Sequence, residues 1–400
     1  MKPDLTGLAN IRSEIIDIQN DIIEMRRRIH RNPEPGFGEF QTAVAIAEWL
    51  EECGKFQVRT RVAKTGVIAD LPGTDKDKPW IALRADMDAL QIQEENSDLD
   101  YCSQNPGLMH ACGHDAHVAI LLGVARILAR RHEQLSHGVR LIFQPAEEGP
   151  GGAEPMIEAG VLEDPKPGAI YALHVWSSLP TGYLNITPGP VMASTDELKF
   201  HIKGAGGHGA VPQETIDPIV AASHFVVALQ TIISRNVDPL DSGVVSIGKI
   251  VGGEIMNAIA DEVHIDGTLR TYRPETRELI IRRLHELGNG IDLTFGTKTQ
   301  VEVIRRYPAV INDSVASSHL LEIARDLFGE ANVQSDLRLM GGEDMAFYLN
   351  QVPGAFCFLG AGNTEKNCDA PHHNPKFNID EDAMLYGVEL LVRLAETHKG

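Results

Sequence analysis

Apolar residues recur along the chain with two different periods. Ile11, Ile15, Ile18, Ile22, Met25 and Ile29 stand three or four apart among Arg, Glu and Asp. That spacing lines one side of a helix and predicts one over 8–31, stopping near Asn32-Pro33. A second helix is expected over 41–53. The β-rich runs 67–71 and 80–83 follow, the latter leading into Arg84-Ala85-Asp86-Met87-Asp88. Next come a largely buried helix over 118–131, a strand over 138–143, a helix over 152–159 and a strand over 169–173 that ends in His174. Strands alternating with helices imply a largely parallel sheet covered on both faces, an αβα layer. Ligands in such sheets gather beyond the carboxyl ends of strands, where Asp86 and Asp88 are expected to sit.

The texture changes near residue 190. Leu198, Phe200 and Ile202 alternate with Lys199, His201 and Lys203, as in a strand with one wet face. A helix over 218–233, strands over 244–251 and 263–272, a helix over 275–287 and a strand over 300–307 complete a β-α-β-β-α-β order. This is the ferredoxin-like pattern, an antiparallel sheet with helices on one face. The α/β texture resumes with a helix over 315–328, a strand over 355–360 and a helix over 381–396. The expected organisation is a discontinuous catalytic domain, 1–189 with 309–400, interrupted by a satellite domain over 190–308 whose edge strands invite a second copy.

Composition narrows the function. The 400 residues favour more than one core. A formal net charge of −20 argues against nucleic-acid phosphates as partners. No apolar run reaches eighteen residues, and the first residues lack the basic-then-apolar layout of a signal peptide, so the expectation is a cytoplasmic protein without membrane partners. Cys53, Cys102, Cys112, Cys357 and Cys368 are odd in number and irregularly spaced, which fits free thiols, one of them available as a ligand.

The chemistry concentrates in LMHACGHDAH, residues 108–117. Buried polar groups are costly unless partnered, so His110, Cys112, His114, Asp115 and His117 in so short a stretch point to a bound metal. Cys112 and His114, two apart, can clasp one ion. His110 and His117 read either as further ligands or as neighbours. With Glu147, Glu148, His174 and the pair His372-His373, the donors exceed what one tetrahedral zinc needs. Two ions fit better. A paired site lowers the pKa of a shared water from about 15.7 towards roughly 7 and polarises a carbonyl, the chemistry of amide hydrolysis. One glutamate must then stay off the metals to take the proton. Gly204-Ala205-Gly206-Gly207-His208-Gly209 satisfies G-x-G-x-x-G, but the turn-rich stretch from Pro212 to Asp217 places the next helix start too far away for a pyrophosphate. The glycines instead make a tight loop that presents His208.

The chain resembles the M20 metallopeptidases, in particular their aminoacylase and amidohydrolase branch. The likeness lies in RRRIHRNPEPGFGEFQT (26–42), RADMDAL (84–90), MHACGHDAH (109–117), FQPAEEG (143–149), LHVW (173–176), GGHGAVPQETIDPIVAA (206–222), NAIAD (257–261), GTLR (267–270), GGED (341–344) and HNPKF (373–377). It implies that Cys112, His114, Glu148, His174 and His373 hold two divalent ions, zinc, manganese, nickel or cobalt. Glu147 would serve as general base for attack by a metal-bound hydroxide. It further implies that His208 reaches a partner subunit's active site in a homodimer, and that Asn257 and Arg270 grip the substrate carboxylate. Asp86 and Asp88 are expected to support the ligands from outside, because the wider family carries His-x-Asp where this chain has Asp86-Met87-Asp88. Gln91, Gly209, Ala260 and Met345 depart from the branch's usual residues without touching a proposed ligand. The implied activity is hydrolysis of N-acyl or N-aroyl amino acids. Dipeptidase or carboxypeptidase action and deacetylation of N-acetyl-diaminopimelate are the alternatives within the family. Outside it stand a thiol amidase with Cys112 activated by His114, and a metal-binding protein without turnover.

Overall fold

Strands Gly66–Leu71, Trp80–Asp86 and Val139–Gln144 expose almost no side chain, which requires cover on both faces of their sheet. The computed structural model describes residues 10–398. In it these strands lie within an eight-stranded sheet of order Gln57–Val62, Gly66–Leu71, Val139–Gln144, Trp80–Asp86, Pro167–Pro180, Gly354–Gly362, Leu184–Asn185, Val333–Gln334. The four central strands, Val139–Gln144 to Gly354–Gly362, run parallel, and antiparallel pairing is confined to the flanks. The largely parallel sheet is therefore present.

Helices follow the apolar pattern with instructive differences. The expected first helix divides into Ser13–Ile16 and Gln19–Arg31, and residues 8 and 9 of that expectation lie outside the described residues. The central helix starts earlier than its apolar run, at His114, and extends to Arg130 with fifteen residues buried. At Gly123 an added Cβ would meet Ile22 Cδ1 and Val388 Cγ2, each at 2.9 Å. Glycine there lets helices Gln19–Arg31 and Asp382–Thr397 close on the central one. The strand expected to end at His174 continues to Pro180, so His174 sits within it. The polar strand Gln57–Val62 was not foreseen, because an exposed edge leaves little apolar signature.

The chain divides into two compact units: Met1–Gly189 with Ile311–Leu337 and Asp344–Gly400, and Pro190–Val310 with Arg338–Glu343. The second carries an antiparallel sheet of order Gly243–Gly252, Glu262–Thr271, Ser194–Lys203, Lys298–Arg305. Leu198, Phe200 and Ile202 turn inward to meet Ala221, Phe225, Leu229 and Ile232 of helix Pro218–Asn236 and Ile280 and Leu284 of helix Pro274–Phe295. The Asp217 carboxylate caps the first helix, accepting from the N–H groups of Ile219 and Val220. By length and composition alone this 19-residue helix is apolar enough to cross a membrane, which the sequence reading did not anticipate. One face of it forms the core of this unit. The second helix outruns its expected end at Leu287 because Gly288 and Gly290 interrupt the apolar pattern, while Ile291 resumes it.

Phe225 is fully buried and packs at a tilt against Phe200, with ring centroids 4.9 Å apart. Replacing it by alanine should destabilise the protein by about 3–5 kcal/mol. Chemical denaturation would show the loss, and an unchanged midpoint would contradict this account of the core.

Candidate metal centre

The centre belongs to the first unit and is built where strands end. Gly113 has φ +90°, and a Cβ there would stand 2.4 Å from Val175 Cγ2, so only glycine allows this close turn. The turn reverses the chain between Cys112 and His114, the first residue of the central helix. On the far side Ala146 takes a left-handed φ of +55° just before Glu147. The buried Glu39 carboxylate accepts from the Ala146 N–H at 2.9 Å and from Thr65 Oγ1 at 2.7 Å, which holds that conformation.

Cys112, His114 and His174 offer ligand atoms within 4.8 Å of one another, and so do Cys112, Glu148 and His373. The two triads share Cys112. His114, Glu147 and Glu148 form a third such group, and Asp86, His114 and His117 a fourth. Cys112 Sγ lies 3.4 Å from His174 Nε2, and His373 Nε2 lies 3.3 Å from Glu148 Oε1. Thus all five residues expected as ligands converge, and Glu147 lies beside them.

Hydrogen bonds aim the donor atoms. Asp88 Oδ1 pairs with His114 Nδ1 at 3.1 Å, and its two oxygens also accept from the N–H groups of Glu147 and Glu148 at 3.1 and 3.0 Å. His174 Nδ1 faces the Val175 carbonyl at 2.7 Å. A carbonyl can only accept, so the proton sits on Nδ1 and the Nε2 lone pair faces inward. His114 Nε2 is buried without a hydrogen-bond partner. An orphaned nitrogen at the meeting point of these triads is a donor that a divalent cation would satisfy, so the residues fit such ions.

Electrostatics points the same way. Burial pulls the His114 imidazolium down, but Asp86, the Asp88 hydrogen bond and Glu148 outweigh it and raise its pKa to about 10. The surrounding carboxylates thus draw positive charge onto His114, and the Glu148 hydrogen bond likewise raises His373. Burial raises the Cys112 thiol well above its usual range, and Glu148, Glu147 and Asp86 push it further. That environment opposes a free thiolate nucleophile and argues against the thiol amidase. Burial raises the Asp86 carboxyl, but His114, His117 and Arg84 hold it well below its usual range.

His117 belongs to the supporting frame: its Nδ1 pairs with Asp86 Oδ1 at 2.5 Å, and its Nε2 accepts from the Val175 N–H at 2.9 Å. His110 lies buried beside His30, its pKa pulled down by burial to about 3. His372 stacks on Trp176, with centroids 4.3 Å apart, and points Nε2 at the Val175 carbonyl. The sequence reading gave no role to Asp344. This buried residue accepts from Arg84, Gln144 and the N–H groups of Gly152 and Ala153, and Arg84 in turn grips Asp86. The motif Gly-Gly-Glu-Asp was visible, but the pairing of Asp344 with Arg84 across 260 positions was not.

Three further residues with expected roles belong to the second unit. His208 is exposed in the short strand Gly207–His208, which pairs with Ala258–Ile259. The neighbouring Asn257 carbonyl accepts from the Gly209 N–H at 2.9 Å, tying the two loops together. Arg270 is half-buried on strand Glu262–Thr271 and donates to Thr268 Oγ1 and the Leu269 carbonyl.

Residues 82–397 match the family described as Peptidase family M20/M25/M40. Among curated relatives, IAA-amino acid hydrolase ILR1-like 4 of Arabidopsis thaliana is 39% identical, over 97% of this chain and 89% of its own length. N-acetylcysteine deacetylase of Bacillus subtilis is 39% identical over 94% of this chain and 98% of its own. Two crystal structures are similar throughout. A putative aminohydrolase from methicillin-resistant Staphylococcus aureus superposes with TM-score 0.90 at 36% identity, covering 97% and 98% of the two chains. The YXEP protein of Bacillus subtilis, described as a dinuclear metal-binding peptidase, superposes with TM-score 0.84 at 35% identity, covering 95% and 98%.

Asp88 orients His114 and both glutamates at once. Asp88→Ala should weaken divalent-cation binding by about 10–100-fold while leaving a folded protein. Metal content after dialysis, read beside circular dichroism, checks this; full retention of metal would refute the orienting role.

Proposed function

The chain belongs to the M20/M25/M40 peptidase family and is an amide-bond hydrolase, and from that premise we propose that it cleaves N-acyl amino acids to a carboxylate and a free amino acid. The observation that carries the reading is the pair of ligand triads sharing Cys112, which together offer two adjacent cation positions. Cys112, His114, Glu148, His174 and His373 would hold the two ions, zinc or manganese first among the candidates, because thiolate and imidazole suit zinc while carboxylates also admit manganese. When bound, such a pair lowers the pKa of a water and polarises the scissile carbonyl.

The protein's own groups do the rest. Glu147 takes the proton from the attacking water and returns it to the leaving amine, which requires its carboxylate to stay clear of the ions. Asp88 supports that division, because it binds the backbone N–H of both glutamates and fixes the peptide between them. Asp86 and Asp88 hold His117 and His114 in place rather than binding metal themselves. His208 would donate to the developing oxyanion from the partner subunit of a homodimer, and Asn257 and Arg270 would receive the substrate carboxylate. The exposure of His208 and the anchoring of its loop to Asn257 support that assignment. Relatives named for N-acetylcysteine, N-acetyldiaminopimelate and IAA-amino acids share an acylated amino acid as the common chemistry.

Glu147→Gln should lower kcat by about 10²–10⁴-fold with metal content unchanged, as expected for loss of general-base catalysis. A panel of acetyl, benzoyl and indole-acetyl amino acids, assayed with metal-reconstituted protein, should give free amine only from substrates with a free α-carboxylate. Turnover of amides lacking that carboxylate would reject the class. For the trans role, co-expression of His208→Ala and Glu147→Gln chains should restore activity that neither variant shows alone, and no recovery in mixed dimers would place His208 in its own subunit's site.

A further inference from the structure

On the second unit, two imidazoles and a carboxylate meet on the sheet face that the helices leave open. His201 and His264 are direct cross-strand partners of Ser194–Lys203 and Glu262–Thr271. Their rings stack at 4.5 Å with planes 7° apart. Glu262, two residues before His264 and so on the same face, receives both: His201 Nε2 lies 2.8 Å from one carboxylate oxygen and His264 Nε2 lies 3.1 Å from the other. The three ligand atoms fall within 4.8 Å of one another.

We propose that His201, Glu262 and His264 form a second, mononuclear site for a borderline divalent cation such as zinc. The geometry asks little of the protein. Strand pairing fixes both imidazoles in register, so most of the ordering entropy is met by folding. Each ring has only to carry its proton on Nδ1 for both Nε2 lone pairs to face the ion that Glu262 completes. Two nitrogens and one carboxylate are a donor set that favours zinc, nickel or copper over magnesium or calcium. The side chains of His201, Glu262 and His264 are 30%, 46% and 55% exposed, so water has access to the remaining coordination positions. In register, Lys203 stands opposite Glu262 and Gln300 opposite His201, while Val251 flanks His264. Lys203 is the competing charge, and its removal should tighten the site.

This site is independent of the reading given to the Cys112 centre, and counting bound zinc separates the two. After equilibrium dialysis of the whole protein against micromolar zinc, His201→Ala, His264→Ala and Glu262→Gln should each hold one zinc per chain fewer than the parent, with amide hydrolysis unchanged. Lys203→Ala should bind the extra ion more tightly. His285→Ala, which removes an exposed histidine elsewhere on this unit, should leave the count unaltered. Cys112→Ala should reduce occupancy of the other centre, yet the difference of one ion between His264→Ala and its background should persist. Equal zinc counts for the parent, His201→Ala and His264→Ala would overturn the proposal, whatever Cys112→Ala does.

Discussion

Negative charge gathered in one buried place governs the architecture of the first unit. Asp86, Asp88 and Glu147 are buried, Glu148 nearly so, and a thiol sits among them. Ionised carboxylates removed from water cost several kcal/mol each unless counter-charges and donors meet them. The surrounding fold answers that cost. Arg84 binds both Asp86 and Asp344, Asp88 collects two backbone N–H groups and an imidazole, and His114 is drawn towards its charged form. What remains is a surplus of negative donors facing inward, which divalent cations would satisfy.

Rigidity follows from where these groups are mounted. Asp86 ends one central strand, His174 lies in the adjoining one, and Gln144, which ends a third, carries the chain on to Glu147 and Glu148. The central helix begins at His114 itself. Supporting side chains held by packing and hydrogen bonds fix the inner donors more tightly than mobile loops could. A second polar network lies beneath: Arg26 and His30 both bind the Asp115 carboxylate at the start of the central helix. Its charges pair internally and so add no further demand for a cation.

The second unit meets its constraints differently. Its sheet buries one face under two helices and leaves Lys199, His201 and Lys203 on the other, so its polar chemistry is displayed at the surface. Exposed charges on that face are screened, and the in-register grouping of His201, Glu262 and His264 brings donors close enough to act together.

The periodicity of Leu198, Phe200 and Ile202, and the strand over 138–143, were legible as patterns because each depends on nearest neighbours along one strand. The crowding of Cys112 and His114 was legible too, since their two-residue spacing carries its own geometric meaning. Family likeness, more than spacing, singled out His373 over His372, and the different surroundings of the two rings show why spacing alone could not. Only the tertiary structure decided what depends on contacts between distant segments: that Asp344 steadies Arg84, that Glu39 holds Ala146 in a left-handed turn, that His117 braces Asp86 while His110 lies beside His30, and that His201 faces His264. Sequence records which groups are present and their local period. Register, hydrogen-bond direction and burial set which of those groups share a charge, and these exist only once the chain has folded.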